Sequence, residues 1–221
     1  MMDFPVKGGT APGYLALPSA GQGPGVMVLH TWWGLTEPFR RVCDRLAAEG
    51  FVALAPDLYH GKTTNSPEEA QVLGDALDHD PARWRGDIAG AAQELQRHNG
   101  GHGKLGVVGF SLGGAYALDM SVNLAEELAA VVIFYVAWAG PEFGRAQAAY
   151  LCHFADSDPF EEPGAATEME QAMRAAGRPI TSYRYPGTKH WFFEDNRPEY
   201  DAGAADLAWK RTVAFLHEQL D

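Results

Sequence analysis

One run in the chain has the residue order of a nucleophilic site: Gly109-Phe110-Ser111-Leu112-Gly113, continuing into Gly114-Ala115. A G-x-S-x-G run is a nucleophile elbow when a strand precedes it and a helix follows. Both are legible here, with Lys104–Phe110 (KLGVVGF) reading as an apolar strand and Ser111–Asn123 as a helix. Such a turn holds its serine in a strained backbone conformation, so the flanking positions must be small. The following helix aims its dipole and free N–H groups at the serine, where negative charge would develop.

A serine hydroxyl is a weak nucleophile and needs a base, with an acid to orient that base. In a strand–elbow–helix setting the acid and then the histidine follow the serine along the chain. Of eight histidines, His190 and His217 lie beyond a candidate acid. His190 follows an apolar strand in Tyr185-Pro186-Gly187-Thr188-Lys189-His190-Trp191-Phe192, where a loop presents it. His217 lies in the last amphipathic segment and reads as a solvated surface residue. The acid belongs after the strand Tyr150–Phe154, in Phe154-Ala155-Asp156-Ser157-Asp158-Pro159-Phe160, with Glu161 and Glu162 behind. Asp158 precedes a proline and so favours extended backbone, whereas Asp156 suits bracing the turn through its side chain. The residues alone lean to Asp158 and leave Asp156 open. An oxyanion needs two N–H donors: Leu112 supplies one, and the loop Thr31-Trp32-Trp33-Gly34 is placed to supply the other. Trp33 and Trp191 are expected to line the cleft, with Trp32 beside them.

The elements needed to hold these residues alternate along the chain. Gly25–His30, Phe51–Ala55, Lys104–Phe110, Ala129–Val136, Tyr150–Phe154 and Thr181–Tyr185 read as strands, with a weaker edge candidate at Tyr14–Leu17. Phe39–Glu49, Pro67–Leu77, Pro81–His98, Ser111–Asn123, Gly164–Ala176 and Ala204–Leu220 read as helices, two of them opening on proline. Near-continuous apolar strands separated by helices predict an α/β fold with a mostly parallel sheet covered on both faces. About a dozen residues separate Val136 from Tyr150, too few for a lid domain, so an open cleft is expected. One domain over 1–221 suits the length. The segment His60–Arg85 is either cleft rim or mere cover for the sheet.

Composition narrows the function classes. A formal charge of -12, with 17 basic residues scattered along the chain, argues against nucleic acid and anionic membrane surfaces. The first residues, Met1 to Gly9, lack the basic-then-apolar pattern of a secretory signal. Cys43 and Cys152 form no disulfide framework or zinc spacing and read as buried thiols. A cytoplasmic location is the expectation.

In five ordered pieces the chain resembles the dienelactone hydrolase family over essentially its whole length. They are Val28 to Leu35 (VLHTWWGL), Ala55 to Tyr59 (APDLY), Gly106 to Gly114 (GVVGFSLGG), Phe154 to Phe160 (FADSDPF) and Tyr185 to His190 (YPGTKH). The resemblance implies an α/β-hydrolase fold without a lid domain and with no metal or organic cofactor. It places the acid at Asp158 and the oxyanion N–H donors at Trp32 and Leu112. Two positions depart from the family's pattern. Where well-known members have cysteine with a nearby glutamate, this chain has Ser111 and, at the glutamate position, Thr31. Where dienelactone-cleaving members place a carboxylate-gripping arginine four residues after the histidine, this chain has Glu194, which makes dienelactone itself a poor fit.

These readings converge on a serine hydrolase for a small carboxylic ester or lactone. It is expected to work as a monomer or small homo-oligomer, without nucleic-acid or membrane partners. A thioesterase or acyl transferase would share the same residues. A binding module on a hydrolase scaffold, with little turnover, is the reading from a different class.

Overall fold

The computed structural model describes residues 1–221, and its core is one eight-stranded sheet. The strands are β1 (Met2–Val6), β2 (Gly9–Ala16), β3 (Gly25–Leu29), β4 (Val52–Pro56), β5 (Leu105–Phe110), β6 (Leu128–Phe134), β7 (Ala149–Ser157) and β8 (Ile180–Lys189). Their spatial order is β1-β2-β4-β3-β5-β6-β7-β8. The pairings β1–β2 and β2–β4 are antiparallel, and every other pairing is parallel. The helices are α1 (Glu37–Ala48), α2 (Pro67–Asp78), α3 (Pro81–His98), α4 (Leu112–Asn123), α5 (Ala165–Ala175) and α6 (Ala202–Leu220). None of them is long and apolar enough to cross a membrane.

Alternation along the central strands explains why both faces are covered. Val26, Val28, Val108, Phe110, Val132 and Phe134 pack on one side with Phe39, Val42 and Leu46 of α1 and Trp209 and Leu216 of α6. Met27, Leu29, Val107, Val131 and Ile133 pack on the other with Trp84, Ile88 and Leu95 of α3, Leu118 of α4 and Met169 of α5. Each such apolar side chain taken fully out of water contributes about 1.5–3 kcal/mol before entropy is counted. Cys43 and Cys152 are fully buried among these side chains, where loss of solvation raises both thiol pKa values.

The central elements follow the apolar runs to within a residue or two, and the edges do not. Strand β1 has no counterpart among the expected strands, because Asp3 and Pro5 break its apolar pattern. It forms a hairpin with β2 through a turn at Lys7-Gly8 and buries Phe4. Strand β8 runs four residues past Tyr185, through Pro186 and Gly187. The connection between β6 and β7 contains no lid, only a short 3-10 turn at Phe143–Arg145.

The elbow is a place of close approach. Ser111 has φ 50° and ψ -116°, a strained combination for a residue with a β-carbon. A β-carbon at Gly113 would collide with the Leu29 and His30 carbonyl oxygens, and one at Gly109 would lie 2.7 Å from Gly114 Cα. By contrast, a β-carbon at Gly86 within α3 meets nothing within 4 Å. Gly113→Ala is therefore expected to destabilise by about 3 kcal/mol, within the range of overpacking costs. Gly86→Ala is expected to stabilise by about 0.5–1 kcal/mol. Urea midpoints of the two variants should move in opposite directions from wild type; a shared direction would contradict this packing.

Candidate active site

Five chain segments leave the sheet at the carboxyl ends of their strands and meet there. Ser111 follows β5, Trp32 lies just past β3, Tyr135 follows β6, Asp158 follows β7 and His190 follows β8. The last two are adjacent because of register. Parallel pairing of β7 with β8 shifts between Ala155 and Ser157 and ends with Ser157 opposite Lys189, so the next residue on each strand is Asp158 and His190. Asp156 helps hold that register: its Oδ2 accepts the Gly187 N–H at 3.0 Å, and its side chain faces solvent rather than the histidine. That is the turn-bracing use expected of it.

His190 Nδ1 lies 2.7 Å from Asp158 Oδ2 and 2.9 Å from Oδ1, and Nε2 lies 2.9 Å from Ser111 Oγ. Facing a carboxylate, Nδ1 carries the proton, which leaves the Nε2 lone pair aimed at the serine hydroxyl. The imidazole is 3% exposed and the Asp158 side chain 9%, so water competes little for either hydrogen bond. Rings of Phe160 (4.7 Å), Tyr135 (4.8 Å) and Trp191 (5.1 Å) surround the imidazole. His217 stands elsewhere, partly exposed near the end of α6 and paired with Asp221 at 2.8 Å.

Leu112 is the first residue of α4, so its N–H has no intrahelical acceptor. Trp32 N–H also meets no acceptor in the protein. The Trp32 loop is pinned from below. His30 Nδ1 donates to the Thr31 carbonyl at 2.7 Å, and His30 Nε2 accepts the Leu58 N–H at 3.2 Å. Burial disfavours the charged form of His30 and keeps it neutral for this dual role. Thr31 is fully buried and directs its hydroxyl oxygen to the Trp33 N–H at 3.4 Å, not to Ser111.

A cavity of about 250 Å³ opens over Ser111 and His190. Trp32, Trp191 and Phe160 contribute aromatic rings to its lining, and Gln71, Gly74, Asp75 and Asp78 of α2 line it as well. Helix α2 thus makes part of the His60–Arg85 segment a cleft rim. Trp33 corrects the expectation set for it: it is 3% exposed and does not border this cavity. The Arg197 guanidinium covers its ring at 3.5 Å, and it packs behind Trp32 and Trp191.

Two residues behind the histidine were not singled out for the site. Tyr135, fully buried at φ 41°, donates its hydroxyl to Glu194 Oε1 at 2.8 Å. Glu194 is 1% exposed, and this burial pushes its carboxyl up to about 8 despite the tyrosine hydrogen bond. It turns into the protein and does not border the cavity. The sequence carried no signal for Tyr135; Glu194 stood out only as the residue four places after His190, where the resemblance implied an arginine.

The unfolded chain releases the Glu194 proton near pH 4.5 and the folded chain holds it to about 8, so stability falls as pH rises across that window. The slope contributed is at most roughly 1.4 kcal/mol per pH unit. Glu194→Gln keeps an acceptor for Tyr135 and removes the titration. Its stability advantage over wild type, from urea midpoints, should grow between pH 5 and pH 8; an advantage that does not change with pH would show that Glu194 ionises normally.

The family model described as the dienelactone hydrolase family matches residues 11–220. The protein named "Protein usf" from Aquifex pyrophilus is 31% identical over 232 aligned positions, covering 100% of this chain and 98% of that one. An Aquifex aeolicus protein named "Putative carboxymethylenebutenolidase" is 28% identical, with 100% and 98% covered. A crystal structure from Klebsiella pneumoniae described as a "Putative Dienelactone Hydrolase" superposes with a TM-score of 0.86 at 27% identity, covering 98% of this chain and 97% of that one. With an α/β-hydrolase sheet and a match along nearly its whole length, the chain belongs to the dienelactone hydrolase family, hydrolases that act on esters or lactones.

Proposed function

We propose that the chain is a serine hydrolase that cleaves a small or medium carboxylic ester or lactone through an acyl-enzyme on Ser111. The observation that carries this reading is the continuous line from Ser111 Oγ to His190 Nε2 at 2.9 Å and from Nδ1 to Asp158 at 2.7 Å. His190 takes the hydroxyl proton as Ser111 attacks the carbonyl carbon. The oxyanion is held by the N–H groups of Leu112 and Trp32. Collapse expels the alkoxide, which takes the proton back from His190. Water, deprotonated by the same imidazole, then attacks the acyl-enzyme and releases the acid. Asp158 fixes the imidazole tautomer and stabilises the imidazolium formed in each half-reaction.

The cavity of about 250 Å³ suits a small or medium substrate. Two buried, unpaired thiols suit a reducing compartment, and a cytoplasmic location belongs to this reading.

Initial rates on p-nitrophenyl esters of increasing acyl length test it. Ser111→Ala and His190→Ala should each lower kcat by roughly a thousandfold or more, and the double variant should be no worse than either single one. Asp158→Asn should fall by about 10⁴-fold, as a wrong tautomer does elsewhere. Wild type that turns over no ester would favour the ligand-binding reading; loss that multiplies in the double variant would mean the two residues do not act as a unit.

A further inference from the structure

We propose that the cleft selects esters bearing a positive charge, an ammonium or similar cation, over neutral and anionic ones. This rests on the ester-hydrolase reading and adds the charge of its substrate. The acidic side chains bordering the cavity are Asp75, Asp78 and Glu161, and no Lys or Arg borders it. Burial pushes the Glu161 carboxyl up to about 7, and it accepts the Ala137 N–H at 2.8 Å, so the lasting negative charge is that of Asp75 and Asp78. None of the three carboxylates forms an ion pair. Of the neighbouring cations, Arg83 pairs with Asp80 and Asp87 and Arg85 with Asp119, while Arg197 lies over the Trp33 ring at 3.5 Å and 5.5 Å from the Trp191 ring, outside the cavity lining. Asp75 accepts from the Gln71 amide at 2.7 Å and Asp78 from the Tyr116 hydroxyl at 3.2 Å, neutral donors that leave the negative charges uncompensated.

The same cavity is bordered by the rings of Trp32, Trp191 and Phe160, with Trp32 and Trp191 stacked at 6.3 Å and Phe160 5.0 Å from Trp191. Aromatic faces attract cations through their quadrupole, tryptophan most strongly. Carboxylates alone would be a solvated helix face, and rings alone an apolar wall. Both border the one cavity that also holds Ser111 and His190. The net charge of -12 adds a field of the same sign around the mouth. A carboxylate on the substrate would meet like charge on α2 and no cation to offset it.

The test uses three p-nitrophenyl esters with one leaving group and similar acyl size: 4-(trimethylammonio)butyryl, its neutral isostere 5,5-dimethylhexanoyl, and the anionic glutaryl. Acetylcholine and 3,3-dimethylbutyl acetate, followed by proton release, place the charge on the alcohol instead. At low ionic strength kcat/KM, corrected for alkaline reactivity, should favour the cation over its neutral isostere by about tenfold in at least one series. Glutaryl should be slowest of its set. The doubly substituted protein Asp75→Asn, Asp78→Asn should move the cationic-to-neutral ratio several-fold toward one, and 0.5 M NaCl should do the same. Both positions are exposed and asparagine keeps each acceptor, so a thermal melt should match wild type.

A ratio at or below one in both series, or a ratio that the double substitution leaves in place, overturns the proposal. If neutral esters turn over in a Ser111-dependent way while that happens, the ester-hydrolase reading stands without it. If no ester of any charge turns over, both fall.

Discussion

The parallel register that sets Ser157 against Lys189 is the constraint on which the candidate site depends. Strands in a parallel sheet present alternate side chains to opposite faces, so a slip of one residue would turn Asp158 or His190 away from its partner. Ordinary ladder pairing runs out near Tyr185, where Pro186 lacks an N–H to donate. Side chains take over the pairing from there. Asp156 accepts from the Gly187 N–H through its carboxylate, and its own N–H donates to the Thr188 hydroxyl at 3.4 Å, which in turn donates to the Tyr185 carbonyl at 2.6 Å. These polar contacts let the strand ends extend beyond the apolar core and deliver the two residues together.

The other strand ends are fixed by close packing and stored strain. Ser111, Tyr135 and Trp191 all have positive φ, at 50°, 41° and 67°, conformations that cost about 1–3 kcal/mol each and persist when their surroundings over-determine them. For Ser111 the surroundings are Gly109, Gly113 and Gly114, together with its own N–H donating to the Phe134 carbonyl at 3.0 Å. For Tyr135 they are an N–H donated to His153 at 2.8 Å and the hydroxyl bond to Glu194. His153 is itself buried and pushed down to about 3, so it stays neutral while hydrogen-bonded to Tyr185 and Thr212. A buried set of hydrogen-bonded polar groups thus supports the turn at Tyr135, whose ring lies 4.8 Å from the imidazole.

What could be read from the residues divides along physical lines. Strands β3, β5 and β6 are buried on both faces, so their apolar runs mark them almost to the residue. The elbow was legible because its glycines answer a steric demand at fixed positions. Asp158 leaned ahead of Asp156 on local backbone preference, and the structure puts Asp158 against His190 and Asp156 against Gly187. Less was legible where function depends on distant segments meeting. Helix α2 is amphipathic and polar outward, and nothing in its own pattern marks Asp75 and Asp78 as bordering the cavity that holds Ser111. Trp32 and Trp33 are chemically identical neighbours, yet one borders the cavity and the other lies under Arg197. That choice is set by loop geometry, not by residue type. Tyr135 and Glu194 pair across 59 positions, a contact no local pattern announces.

The central claim is a covalent step at one oxygen atom. Mixing the protein with an excess of a slowly deacylating p-nitrophenyl ester, quenching in acid and mapping peptides by mass spectrometry tests it most directly. The account predicts an added acyl mass on the peptide containing Ser111, present in wild type at early times and absent from His190→Ala. Turnover with no acylated peptide, or an acyl group on another residue, would contradict it.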